Sequence, residues 1–197
     1  MDMLNQQLNF ILELDRLKGV YRQALVKSDQ NRRENSAEHS WHIALLAQVL
    51  QQYADRPVNI HRVVTMLLLH DIVEIDAGDT FAFANAEQLA AQPEKELRAA
   101  ERLFGLLPAS QAQQMKQLWL EFEQVETADA QFAKAMDSVM PLLQNMANEG
   151  GSWVRHTVTK NQVLQRNKHL KTAAPKLWDY VYQQIELATN NGWLSDS

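Results

Sequence analysis

The stretch Leu67-Leu68-Leu69-His70-Asp71-Ile72-Val73-Glu74 constrains the fold more than any other part of the chain. Val63, Val64, Met66, Leu67, Leu68 and Leu69 are too apolar for a surface helix, so the segment capped by Asn59 is predicted to be the central helix. That helix runs straight into adjacent ionisable groups. On a helix, His70 and Asp71 project about 100° apart and both reach a point lying between them, while Glu74 returns beside His70 one turn later. Leaving imidazole and carboxylate unpaired against a core is costly, and a divalent cation is one of the few partners that satisfies both. On these residues alone, the alternative is a His-Asp pair that simply closes off a core helix.

Two other segments carry the same chemistry. Ser36-Ala37-Glu38-His39-Ser40-Trp41-His42 places His39 in the first turn of a strongly patterned helix, and Lys134-Ala135-Met136-Asp137-Ser138-Val139 sets Asp137 among residues that read as core. His39, His70, Asp71 and Asp137 thus make a two-His, two-Asp set delivered by three helices. This order, H…HD…D, resembles the signature of the HD-domain phosphohydrolase superfamily. The segments Glu34 to Ser40 and His70 to Thr80, followed by the isolated Asp137, are similar to the small 5'-deoxynucleotidases and their HD-domain relatives, which share the pattern HDxxExxxGD. Here that pattern reads His70, Asp71, Glu74, Gly78 and Asp79, and the likeness covers about residues 8 to 145.

The resemblance implies an all-α, compact multi-helix HD-domain bundle that binds one divalent metal ion through His39, His70, Asp71 and Asp137. Co, Mn, Mg, Fe, Zn and Ni all suit the nitrogen and oxygen donors, and the family favours Co, Mn or another transition metal over Ca. Position and family together give Glu74 the part of holding or deprotonating the attacking water. Asp79 would bond a sugar hydroxyl, assist the base or protonate the leaving oxygen, and Gly78 would let the backbone approach the ligand. Arg22 matches the family Arg that contacts phosphate, with Arg32 and Arg33 as alternatives. The family motif has Trp after that Arg, where this chain has Gln23, so a 2'-deoxy preference does not carry over. The implied activity is hydrolysis of the phosphomonoester of (deoxy)nucleoside 5'-monophosphates, in a homodimer. Hydrolysis of ppGpp or of a nucleoside triphosphate, or nucleotide binding without turnover, are the other readings.

Composition fits a small-molecule enzyme. With 197 residues, the expectation is a single domain over 1–197, its core at about 8–145 and helices at 159–190 appended. Acidic residues number 24 against 19 basic, a net charge of -5, which argues against a nucleic-acid surface. The absence of Cys excludes thiolate ligands, disulfides and a Cys nucleophile. No stretch approaches the roughly 20 apolar residues of a membrane span, and Asp2 and Glu13 do not suit an export signal, so a cytoplasmic location is expected.

Periodicity predicts a helix over 3–18 ending near Gly19, a packed turn at 20–26, an exposed loop at 27–35, and a helix from an N-cap at Ser36 to about Ala54. Asp76 to Thr80 reads as a turn. Residues 81–93 read as a loop or short helix with Pro93 near a helix start, then helices at about 94–106, from Ser110, at 128–148 with a kink at Pro141, at 159–171 and at 175–190. Nothing alternates with period two, so no sheet is expected. His42 is read as a helper of His39 or a partly buried hydrogen-bonded His, His61, His156 and His169 as surface, and the five Trp as core or subunit contacts.

Overall fold

The computed structural model describes residues 2–195; residues 1, 196 and 197 of the expected domain lie outside that span. Helix α1 (Met3–Glu13) is capped by Asp2, whose side chain accepts from the Asn5 N–H, and a 3-10 turn (Leu14–Gly19) follows. Only Phe10 of α1 is buried; Leu4, Leu8, Ile11 and Leu12 are at least half exposed.

The expectation of no sheet is wrong by one hairpin. Strands β1 (Tyr21–Val26) and β2 (Arg32–Asn35) pair antiparallel. Their pattern misleads because β2 is all polar, with only Glu34 buried, and because β1 does not keep a two-residue period. Gln30 and Asn31 adopt positive φ (52° and 58°), the left-handed turn that reverses the chain. Tyr21 pairs with Asn35 and Leu25 with Arg33, so residues 22–24 stand against Glu34 alone. Such a bulge bends a strand and re-aims its side chains.

Helix α2 (Ser36–Leu50) starts one residue earlier than a Ser36 cap would place it. Asn35 is the N-cap, accepting from the Glu38 N–H, while the Glu38 carboxylate accepts from the Asn35 N–H. Removing that cap should cost about 1 kcal/mol. Helix α3 (Ile60–Leu69) is capped by Asn59 as expected. The predicted helical geometry at the His-Asp pair gives way to a 3-10 turn (His70–Val73), then α4 (Glu74–Ala77). Here the His70 Nδ1 donates to the Leu67 carbonyl at 2.8 Å, the acceptor that a continuing α-helix would assign to the Asp71 N–H.

Helix α5 (Ala86–Phe104) takes in most of the stretch expected as a loop or short helix at 81–93 and joins it to the helix expected from 94, with Asn85 as its N-cap and Pro93 inside it. Pro93 cannot donate to the Leu89 carbonyl, and the missing bond falls where the helix is exposed, Leu89 itself being 42 % exposed. Helices α6 (Ala109–Gln124) and α7 (Ala128–Ala147) follow; α7 runs unbroken through Pro141. Then come α8 (Gly151–Arg155), α9 (Lys160–Asn167), α10 (Leu170–Ala173) and α11 (Pro175–Asn190), so the predicted 159–171 helix is split in two.

These helices enclose two apolar clusters. The larger joins Ile43, Met66, Leu67, Phe122, Phe132, Met136 and Ile185; the smaller joins Phe10, Leu69, Ile72, Val73, Phe104 and Trp119. Truncating a fully buried Phe in either should cost roughly 3–5 kcal/mol. The chain passes from the first cluster to the second between Leu67 and Leu69, and His70-Asp71 follows directly on that crossing. Among the described residues, no helix is long and apolar enough to cross a membrane.

Candidate metal centre

The three helices predicted to deliver ligands do converge. One atom each of His39, His70 and Asp137 lies within 4.8 Å of the others, and all three residues are buried. His39 Nε2 is 3.1 Å and His70 Nε2 3.8 Å from Asp137 Oδ1. Asp71 stands at the edge of this trio. Its Oδ1 is 2.9 Å from His70 Nε2, and its Oδ2 accepts from Arg22 Nη1 at 2.6 Å.

Hydrogen positions follow from the partners. The Leu67 carbonyl can only accept, so the proton of a neutral His70 ring is on Nδ1 and the Nε2 lone pair points at two carboxylate oxygens. Lone pair against carboxylate is repulsive unless a cation lies between them. His39 poses the same question, with Nε2 on Asp137 and Nδ1 3.4 Å from Glu34 Oε2. A metal ion at the Nε2 side leaves the His39 N–H to face Glu34, the arrangement that fixes ring and tautomer in metal sites. The donor set fits a divalent ion.

Electrostatics separate the carboxylates. Burial alone would raise the Asp137 carboxyl, but the His39 hydrogen bond, Lys134, His70 and Arg166 outweigh it and hold it well below the usual range. Asp71 is lowered likewise, burial being overcome by His70 and Arg22. Glu74 goes the other way: burial and then Asp71 push it well above the ordinary value, against the opposing pull of Arg22 and of the Ser36 hydroxyl that donates to Oε2 at 2.5 Å. Burial raises Asp79 too, with Arg22 opposing.

A cavity of about 330 Å³ opens on these groups. Arg22, Glu74 and Asp79 line it together, the guanidinium 3.7 Å from Glu74 Oε1 and 3.8 Å from Asp79 Oδ1. In a regular strand Arg22 and Gln23 would face opposite sides. Because of the bulge, Arg22, Gln23 and Ala24 all line the cavity. Gly78 is not on the wall. Its φ of 76° turns the chain so that Asp79 is, and its carbonyl accepts from Gln92 Nε2 at 3.0 Å.

Several residues take places that sequence alone did not give them. Glu34 is 2 % exposed behind His39, its Oε1 accepting from Gln144 at 2.6 Å; a Glu among charged neighbours offers no signal of burial. Ser36, Lys134 and Arg166 are also at the site. Arg32 is on the surface with Asp29 and Glu38, and Arg33 is exposed. His42 is exposed against Trp41, and His156 is exposed beside Phe81 with Nε2 3.1 Å from Gln23 Oε1. His169, expected at the surface, is half-buried and held by backbone groups of Lys134 and Arg166. Trp119 and Trp153 are buried, Trp119 donating to the His70 carbonyl and Trp153 lining the cavity.

Known proteins share this organisation. The HD-domain family model matches residues 14–178. A crystal structure of a predicted metal-dependent phosphohydrolase from Magnetospirillum magnetotacticum is 47% identical, covers 98% of this chain and 96% of that one, and superposes with a TM-score of 0.92. The 5'-deoxynucleotidase HDDC2 of Xenopus laevis is 31% identical over 144 residues, 72% of this chain and 69% of that protein. Its Homo sapiens counterpart is 30% identical over 139 residues, 70% of this chain and 65% of that protein. The chain therefore spans about two thirds of these curated relatives. With a matching family model over most of its length, the chain belongs to the HD-domain family.

Proposed function

We propose that the protein hydrolyses the phosphomonoester of (deoxy)nucleoside 5'-monophosphates, with His39, His70, Asp71 and Asp137 holding one divalent ion, Co or Mn ahead of Mg, Fe, Zn and Ni. The observation that carries this reading is the pair of imidazole Nε2 atoms facing one Asp137 oxygen beside a cavity of nucleotide size. The relatives named 5'-deoxynucleotidases support the substrate class. Such an ion, when bound, polarises a phosphoryl oxygen and makes an adjacent water more acidic.

Protein groups do the rest. Glu74, held by Ser36 and made a stronger base by burial, acts in its carboxylate form, taking a proton from water as the water oxygen forms its bond to phosphorus. The ester P–O bond breaks, and Asp79, whose carboxyl burial shifts toward the protonated form, gives a proton to the departing 5'-oxygen. Products are the nucleoside and orthophosphate, and both carboxyl groups reset by exchange with solvent. Arg22 keeps Asp71, Glu74 and Asp79 together and faces the phosphate; Gly78 sets the turn that presents Asp79. The reading includes a single domain and a cytoplasmic homodimer, the latter supported by the exposed Leu4, Leu8 and Ile11 on one face of α1.

The test is phosphate release from a panel of nucleotides by protein loaded with Co or Mn. Orthophosphate from monophosphates is expected. No turnover of any monophosphate, with metal bound, overturns the reading, and pyrophosphate or tripolyphosphate as product moves it to ppGpp or triphosphates.

A further inference from the structure

Arg22 is the cation that sequence offers for phosphate, yet three carboxylates already surround it. Its Nη1 lies 2.6 Å from Asp71, 3.7 Å from Glu74 and 3.8 Å from Asp79. One guanidinium in that company leaves little positive charge for an incoming dianion. Two other cations line the same cavity, Lys134 from α7 and Arg166 from α9.

Both approach the other oxygen of the Asp137 carboxylate. Oδ1 faces His39 and His70, whereas Oδ2 has Lys134 Nζ at 3.8 Å and Arg166 Nη2 at 3.9 Å. Those distances hold the charges near Asp137 but exceed hydrogen-bond length, so the N–H donors stay available. The ammonium of Lys134 also lies 4.3 Å from the centre of the Phe122 ring, a cation–π contact that keeps it over the cavity rather than in solvent. Each side chain is about a third exposed, and among the described residues neither makes another ion pair. The result is a pair of cations side by side that share one carboxylate oxygen at long range, adjoining the candidate metal centre.

We propose that Lys134 and Arg166 grip the substrate phosphate, and that α9 is thereby part of the active site. This rests on the phosphomonoesterase reading for the identity of the anion. A dianion next to Asp137 Oδ2 gains charge-assisted hydrogen bonds from two helices, with the planar guanidinium offering two parallel donors and the ammonium a point charge. Phosphate held there adjoins the candidate metal centre, and Arg22, which faces it across the same cavity, spends most of its charge on the carboxylates.

The experiment compares Mn-loaded wild type with Lys134→Met, Arg166→Gln and the double variant, measuring inorganic phosphate binding by calorimetry, Mn affinity separately, and KM and kcat for a nucleoside monophosphate. Each single change should weaken phosphate by about 10-fold or more and raise KM more than it lowers kcat, with Mn affinity unchanged, as expected for loss of a charge-assisted bond. Arg166→Lys should recover part of the loss, and Arg98→Ala, an exposed change on α5, should do nothing. A double variant that binds phosphate as wild type does overturns the proposal. So does an equal loss of Mn and phosphate affinity, which would make the pair a support for Asp137. Phosphate binding lost in the variants while the wild type turns over no monophosphate would keep this site and remove the hydrolase reading.

Discussion

The cavity has two kinds of wall. His39, His70 and Asp137 come from long helices or their ends, with neighbours such as Ile43, Leu67 and Met136 packed at 0 % exposure. Residues 22–24 of the hairpin, the 79–83 segment and the short helices α8 and α9 make up much of the rest, with Gln23, Phe81 and Arg166 only partly covered. Ligand atoms must stay within a fraction of an ångström of their positions, which close-packed helices supply. Substrate contacts tolerate more movement, and this wall is built from pieces that can differ without disturbing the core.

The largest separation of the two walls should come from His70→Ala. It should remove metal binding, seen as lost metal content and lost thermal stabilisation by added Mn, and with it about 10³-fold or more of any phosphatase activity. Turnover that survives without bound metal would erase the distinction.

Next in size is Glu74→Gln, expected to lower kcat by about 10²–10⁴ with metal still bound. Its raised pKa makes the carboxylate appear only as pH rises, so wild-type activity should fall on the acid side and the variant should lose that limb. Stability runs in the opposite sense. A carboxyl whose folded pKa is raised contributes stability that is fully present below its unfolded pKa and lost as pH rises through the folded value. Metal-free Glu74→Gln should therefore melt higher than wild type at alkaline pH and by a smaller margin in acid, which a series of thermal melts would check.

Glu34→Gln probes the support behind the ligand wall. Metal affinity should drop by about 10–100-fold, as for other partners of ligating imidazoles, with KM for nucleotide little changed once metal is saturating. A titration that matches wild type would put Glu34 outside the metal centre. The smallest effect belongs to the other wall. Gln23→Trp should change the ratio of deoxy- to ribonucleotide kcat/KM by roughly 10-fold at most, the size of a single apolar contact, without altering metal content.

Legibility in the sequence follows the same division. His39, His70, Asp71 and Asp137 stood out because ionisable groups amid Leu67, Met136 and Val139 contradict their surroundings. Glu34 and Arg166 sit in polar runs, where a charged residue needs no explanation until the fold brings it to the site. The hairpin escaped notice because β2 is stabilised by pairing and not by an apolar face. Residues 86–92 gave no helical period since that part of α5 is solvated on most sides. Asp71 carries contacts that its place in the sequence does not show, Oδ1 toward His70 and Oδ2 accepting from Arg22.

The bulge that sets residues 22–24 against Glu34 makes chain length in the hairpin a variable of its own. Deleting one of the three would let more of the ladder zip and swing a neighbour of Arg22 out toward solvent, with every remaining side chain keeping its identity. Descendants of this scaffold could thus retune what they accept by gaining or losing a single rung, leaving the metal grip untouched.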